Sequence, residues 1–146
     1  MAYTRANAET ALVTRASKKM ALVGFAVTII GSNTDLNDPI GMGLLWMGKS
    51  ISNISTVTDA DLAALLQAEV PEFLDRAELR LLENILGNYD LVNISLGPRS
   101  ESLNQIADNL RDAIKDKREQ VKAIFGGQSL EAGTILLDTQ TKMDDV

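Results

Sequence analysis

The sequence predicts a mainly α fold: a small helical bundle with a long central loop and an extended C-terminal arm. Three observations lead there. Apolar residues recur every three or four positions in two long stretches, as one face of a helix requires. The chain is 45% apolar but only 4% aromatic, so its core must be built mainly from Leu, Ile, Val and Ala, the stock of packed helices. Candidate strands are few and short. The length of 146 residues suits one domain with one core, placed at 1–126, followed by an arm at 127–146.

The first element is a helix over Asn7 to Ile30, with Leu12, Ala16, Met20, Val23, Val27 and Ile30 on one face and Gly31 as its stop. Its second half is apolar almost all round, which implies burial on several sides or contact with another subunit. The β-branched end, Val27-Thr28-Ile29-Ile30, suits a strand as an alternative. Residues 31–57 follow as the irregular loop. Asn33, Asn37, Asp38-Pro39, Gly41, Gly43 and Gly48 mark turns around an apolar plug, Leu44-Leu45-Trp46-Met47.

Thr58 or Asp59 caps a short helix through Glu69, and Pro71 suits the first turn of the next, which runs to Leu86 and ends at Gly87. Leu91 to Leu96 then reads as a loop or one edge strand. The clearest element opens at Ser100 or Pro98. Leu103, Ile106, Leu110, Ala113, Lys117, Val121 and Ile124 are spaced by three and four up to Gly126, a helix of about 36 Å. Its outer face mixes Asp, Glu, Lys and Arg, the pattern of a solvated surface. Beyond it no helical period survives. The string Thr134-Ile135-Leu136-Leu137-Asp138 stands in a polar, acidic tail that, fully extended over twenty residues, reaches about 65 Å.

Composition removes several functions. The chain has no histidine and no cysteine, so the usual zinc ligands, the thiolate nucleophile, the imidazole base and disulfides are missing together. No catalytic or metal site and no cofactor is expected. A net charge of −6 argues against phosphate contacts as the main source of affinity, and no sequence-specific nucleic acid partner is expected. The longest apolar run, Met20 to Ile30, is too short to cross a bilayer, and no membrane partner is expected. Lys18 and Lys19 ahead of it imitate a signal peptide, but Glu9 precedes them and no small-x-small cleavage site follows.

One catalytic pattern matches by letter. Gly43-Leu44-Leu45-Trp46-Met47-Gly48-Lys49-Ser50 fits G-x-x-x-x-G-K-[ST], in which Lys49 would face the β and γ phosphates and Ser50 would hold magnesium. A phosphate loop needs a strand before it, a helix starting at the lysine and a parallel sheet around it. The polar, β-branched stretch Ile51 to Thr58 is a weak helix start, and four bulky residues crowd the loop. The match therefore reads as a decoy, with Trp46 as a core or interface anchor.

The second half carries a resemblance. Its marks are the helix Ala77-Glu78-Leu79-Arg80-Leu81-Leu82-Glu83, the turn Asn88-Tyr89-Asp90, the segment Leu96-Gly97-Pro98-Arg99-Ser100-Glu101, and a charged final helix closing with Phe125-Gly126. Over residues 77–126, about a third of the chain, it resembles the small head-to-tail adaptor (connector) proteins of tailed bacteriophages. The resemblance implies a homo-oligomeric ring, about twelve copies with cyclic symmetry, between the portal protein and a tail or neck protein. It places the protein in the virion neck after synthesis in the host cytoplasm. It implies an arm laid on the portal, with Phe125, Ile135, Leu136 and Leu137 joining Trp46 as candidate interaction residues. The long N-terminal apolar helix and the glycine-rich plug depart from those adaptors. Two other classes stay open: a small helical regulator or assembly chaperone acting as a dimer, and a nucleotide-binding protein using residues 43–50.

Overall fold

The computed structural model describes residues 3–96 and 100–125. The fold is mainly α, and no strand occurs among the described residues. Within the described residues five helices follow in order: α1 (Arg5–Leu22), α2 (Asn37–Trp46), α3 (Asp59–Leu62), α4 (Val70–Leu96) and α5 (Ser100–Phe125), with single 3-10 turns at Thr34–Leu36 and Gln67–Glu69. The hub is α4, against which α1, α2 and α5 all pack.

The Thr4 side chain accepts the Asn7 N–H at 3.2 Å and so caps α1, whose buried stripe is Ala8, Leu12, Val13, Ala16 and Met20. The helix ends at Leu22 rather than running on to Ile30. Gly24, at φ +76°, takes the left-handed conformation; its N–H donates to Ala21 O (3.2 Å) and the Phe25 N–H to Met20 O (3.0 Å). This pair of bonds is a Schellman motif, and it turns the β-branched residues 27–30 out of a helix they disfavour. They form neither helix nor strand.

Residues 31–57 also differ from the expected loop, because α2 lies inside them. Pro39 falls in the first turn of α2, where its missing N–H costs nothing. Gly43 serves close packing: a Cβ there would lie 3.1 Å from Ala77 Cβ and 3.2 Å from Phe73 Cε1, both on α4. The plug residue Leu44 is fully buried with Ile40 and Leu36. A second Schellman motif closes α2, with Gly48 at φ +78° donating to Leu45 O (3.0 Å) and Lys49 to Leu44 O (2.9 Å).

Thr58 does open α3, where Asp61 Oδ2 accepts the Thr58 N–H at 2.9 Å as half of a capping box. The helix stops at Leu62 instead of reaching Glu69. Pro71 lies in the first turn of α4, as expected. That helix passes through Gly87 and includes the stretch read as a loop or strand at 91–96. Buried Tyr89 lies beyond the glycine, so packing continues past it.

The main core joins Leu12, Met20, Ile40, Leu44, Phe73, Leu81 and Ile85 to Ala107 and Leu110 of α5. Fully burying each large side chain contributes about 1.5–3 kcal/mol. A smaller cluster, Leu79, Leu82 and Ile114, packs with Trp46 on the other side of the hub. No helix among the described residues is long and apolar enough to cross a membrane.

Candidate functional site

The most elaborate local structure is a buried polar node at the start of α1. Arg5 and Glu9, one turn apart, continue the stripe of Leu12 and Ala16 with charge, and are 1% and 0% exposed. Arg5 Nε donates to Glu9 Oε2 at 2.8 Å. Its other guanidinium nitrogens donate to Asn37 Oδ1 (2.7 Å), Val57 O (3.0 Å) and Asn33 O (2.6 Å). Glu9 in turn accepts the backbone N–H groups of Ile30 (3.1 Å), Gly31 (2.8 Å) and Asn33 (2.9 Å). The pair meets the condition under which buried charges are tolerated, mutual neutralisation with the remaining hydrogen-bonding capacity largely used.

The node holds the chain between α1 and α2 in place. Asn33 Nδ2 donates to Ala26 O (2.7 Å) and Thr28 O (3.1 Å), and Asp35 Oδ2 accepts the Ala26 N–H (2.8 Å). Polar side chains thus grip this segment from within, Val23 and Phe25 pack against the core, and Val27, Ile29 and Ile30 face outward. Leu22 is 46% exposed, Val27 43%, Ile29 47% and Ile30 68%. Four large exposed apolar residues within nine positions form a candidate interaction surface.

A shallow cleft of about 450 Å³ lies beside the node, lined by Gly31, Ser32, Thr34, Asn37 and residues 55–59. Its hydroxyls and the Asp59 carboxylate can hydrogen-bond to a ligand, but no nucleophile–base pair is among them. Among the described residues no group of three or more carboxylates is arranged to hold a metal ion. Nearby, Asp61 is held below the usual carboxylate range, first by the Thr58 backbone N–H, against the opposing effect of burial, and further by the Ser52 N–H and hydroxyl. Burial works to raise the Asp38 carboxyl, but hydrogen bonds from Arg80 (2.7 Å) and Asn84 (2.7 Å) prevail and lower it.

The sequence-predicted residues disperse. Gly43 lies inside α2, Gly48 and Lys49 form its closing motif, and the Lys49 ammonium pairs with Glu69 at 3.0 Å. Residues 43–50 therefore form a helix and its cap, not the strand, loop and helix that present amides to phosphate. Trp46 is half-buried against the α4–α5 cluster. Phe125 is the last residue of α5. Ile135, Leu136 and Leu137, with the whole arm 127–146, lie outside the described residues.

Lys117, in the apolar series of α5, faces inward and bonds Asp75 at 2.8 Å; Arg15 of α1 reaches the same carboxylate at 3.0 Å and Glu78 at 3.2 Å. These charges clamp three helices. The sequence reading missed Arg5, Glu9, Asn33 and Asn37. A usable signal existed for the first two: opposite charges four apart that extend an apolar stripe. The chain matches none of the protein-family models, none of the curated proteins and none of the solved structures with which it was compared.

Proposed function

We propose that this chain is a structural assembly subunit, and that it forms a ring between portal and tail at the head-to-tail junction of a tailed phage. The observation that carries the assembly reading is the apolar surface at 22–30, braced from beneath by Glu9, Asn33 and Asp35. An order this specific, imposed on a segment from which Leu22, Val27, Ile29 and Ile30 meet solvent, suits a surface kept ready for a protein partner. The placement at the phage neck rests on the resemblance over 77–126, which falls on the α4–α5 pair at the centre of the fold.

The acidic balance fits a conduit for DNA, since a net charge of −6 repels a passing duplex instead of gripping it. The partners in this reading are identical copies, the portal protein and a tail or neck protein.

Co-sedimentation with a candidate portal ring tests the placement, with a chain truncated after Gly126 run in parallel. The adaptor reading expects the full chain to join the portal and the truncated chain to be lost from it. A stable dimer indifferent to portal and truncation favours the regulator, and nucleotide binding abolished by Lys49→Ala favours the nucleotide-binding protein.

A further inference from the structure

The segment 26–30 has two unlike edges. On the inner edge Ala26 uses both backbone groups, its N–H toward Asp35 Oδ2 and its carbonyl toward Asn33 Nδ2. The Thr28 carbonyl accepts from the same Nδ2, and the Ile30 N–H donates to Glu9 Oε1. Alternate residues thus direct their polar groups inward, the pattern of an extended chain paired along one side. By that alternation Val27 and Ile29 direct theirs outward. No hydrogen bond among the described residues engages the N–H or carbonyl of either. An outward row of unpaired amides and carbonyls flanked by exposed β-branched side chains is a template for strand addition.

We propose that this edge receives residues 134–138 of a neighbouring copy as an added β-strand, an inference that rests on the ring reading above. The occupant is identified by chemistry and reach. Thr134-Ile135-Leu136-Leu137-Asp138 matches the edge in length and is the longest apolar string beyond α5. Proline, which cannot donate to a ladder, is absent from both segments. The stretch from Phe125 to the string spans up to about 30 Å when extended, enough to leave one domain of this size for the next.

Charge agrees. Residues 127–146 carry Glu131, Asp138, Asp144 and Asp145 against Lys142 alone. Lys18 and Lys19, on the last turns of α1 leading into the edge, form no ion pair among the described residues. A donor strand at one end of the subunit and an acceptor edge elsewhere also make a head-to-tail contact, the kind that closes into a ring.

The absence of cysteine from the chain makes a direct test available. Full-length Val27→Cys and Leu136→Cys proteins are mixed, treated with a short bis-maleimide and read by mass spectrometry, with native mass measured on the same sample. The expected product is the mixed adduct, reduced at least tenfold by Ile29→Pro, which removes an outward N–H that bonds nothing among the described residues. Circular dichroism checks that this variant keeps its helices, and Thr134→Pro in the donor provides a second variant with the same expected loss. Absence of the mixed adduct overturns the proposal. So does a Val27→Cys homodimer as the main product, which means edge-to-edge pairing, or a link formed only within one chain when Val27→Cys and Leu136→Cys are combined in it, which means the chain's own arm. Native mass tests the ring separately: ring-sized particles without the adduct overturn strand addition alone, and the adduct without ring-sized particles overturns the ring alone.

Discussion

Arg5 Nε lies 2.8 Å from Glu9 Oε2 with both side chains buried, so one ion pair at the first turn of α1 organises residues 26–37 and 55–59. Each partner also serves the other's surroundings: Arg5 reaches the carbonyls of Asn33 and Val57, and Glu9 the amides of Ile30, Gly31 and Asn33. The exposed apolar surface follows from this buried charge pair.

Removing either partner leaves the other charged and buried. Arg5→Ala and Glu9→Ala should each cost about 3–5 kcal/mol in urea unfolding followed by circular dichroism. A loss below about 1 kcal/mol in both would contradict the node as described.

Two glycines should respond to alanine with opposite signs. Gly24 has φ +76°, so Gly24→Ala should destabilise by about 1–2 kcal/mol although no atom crowds the site. Gly87 lies exposed inside α4 with open space around it, so Gly87→Ala should stabilise by about 0.5–1 kcal/mol. Thermal midpoints of the two variants check the contrast, and equal shifts would place the end of α1 or the continuity of α4 in error.

At Gly43 the constraint is space. A side chain there meets Ala77 Cα at 3.3 Å, and backbone cannot move aside as a side-chain tip can. Gly43→Val should cost about 1–3 kcal/mol by overpacking α2 against α4. Unchanged stability would contradict this close crossing.

Asp61 gives stability a defined dependence on acid. Its folded-state pKa lies below the ordinary value of 3.8, chiefly through the Thr58 N–H. Its contribution is therefore fully present above about pH 4 and is lost as pH falls through the depressed folded value. Denaturant midpoints measured at about pH 6 and about pH 3 should differ less in Asp61→Asn than in the parent chain. An unchanged difference would remove Asp61 from the acid response.

Elements whose stability is local were legible in the sequence. The long apolar period of α5, the cap at Thr58 and the early proline of α4 all appear in the structure where local rules place them. Glycine misled because its meaning depends on tertiary surroundings. At Gly24 it ends a helix, at Gly43 it admits a neighbouring helix, and at Gly87 it is carried along by packing that continues to Tyr89. Helix α2 was hidden because Asn37-Asp38-Pro39 and its glycines imitate a turn-rich loop until α4 is present to pack against. The apolar character of residues 22–30 was legible as a possible subunit contact, but the bracing by Glu9 and Asn33 joins residues far apart in the chain and leaves no periodic trace.

Native mass spectrometry of the full chain, alone and with a candidate portal ring, decides whether the proposed ring forms. A ring-forming subunit gives a cyclic particle of about twelve copies when the portal is present. A fixed dimer under both conditions would contradict the proposed ring.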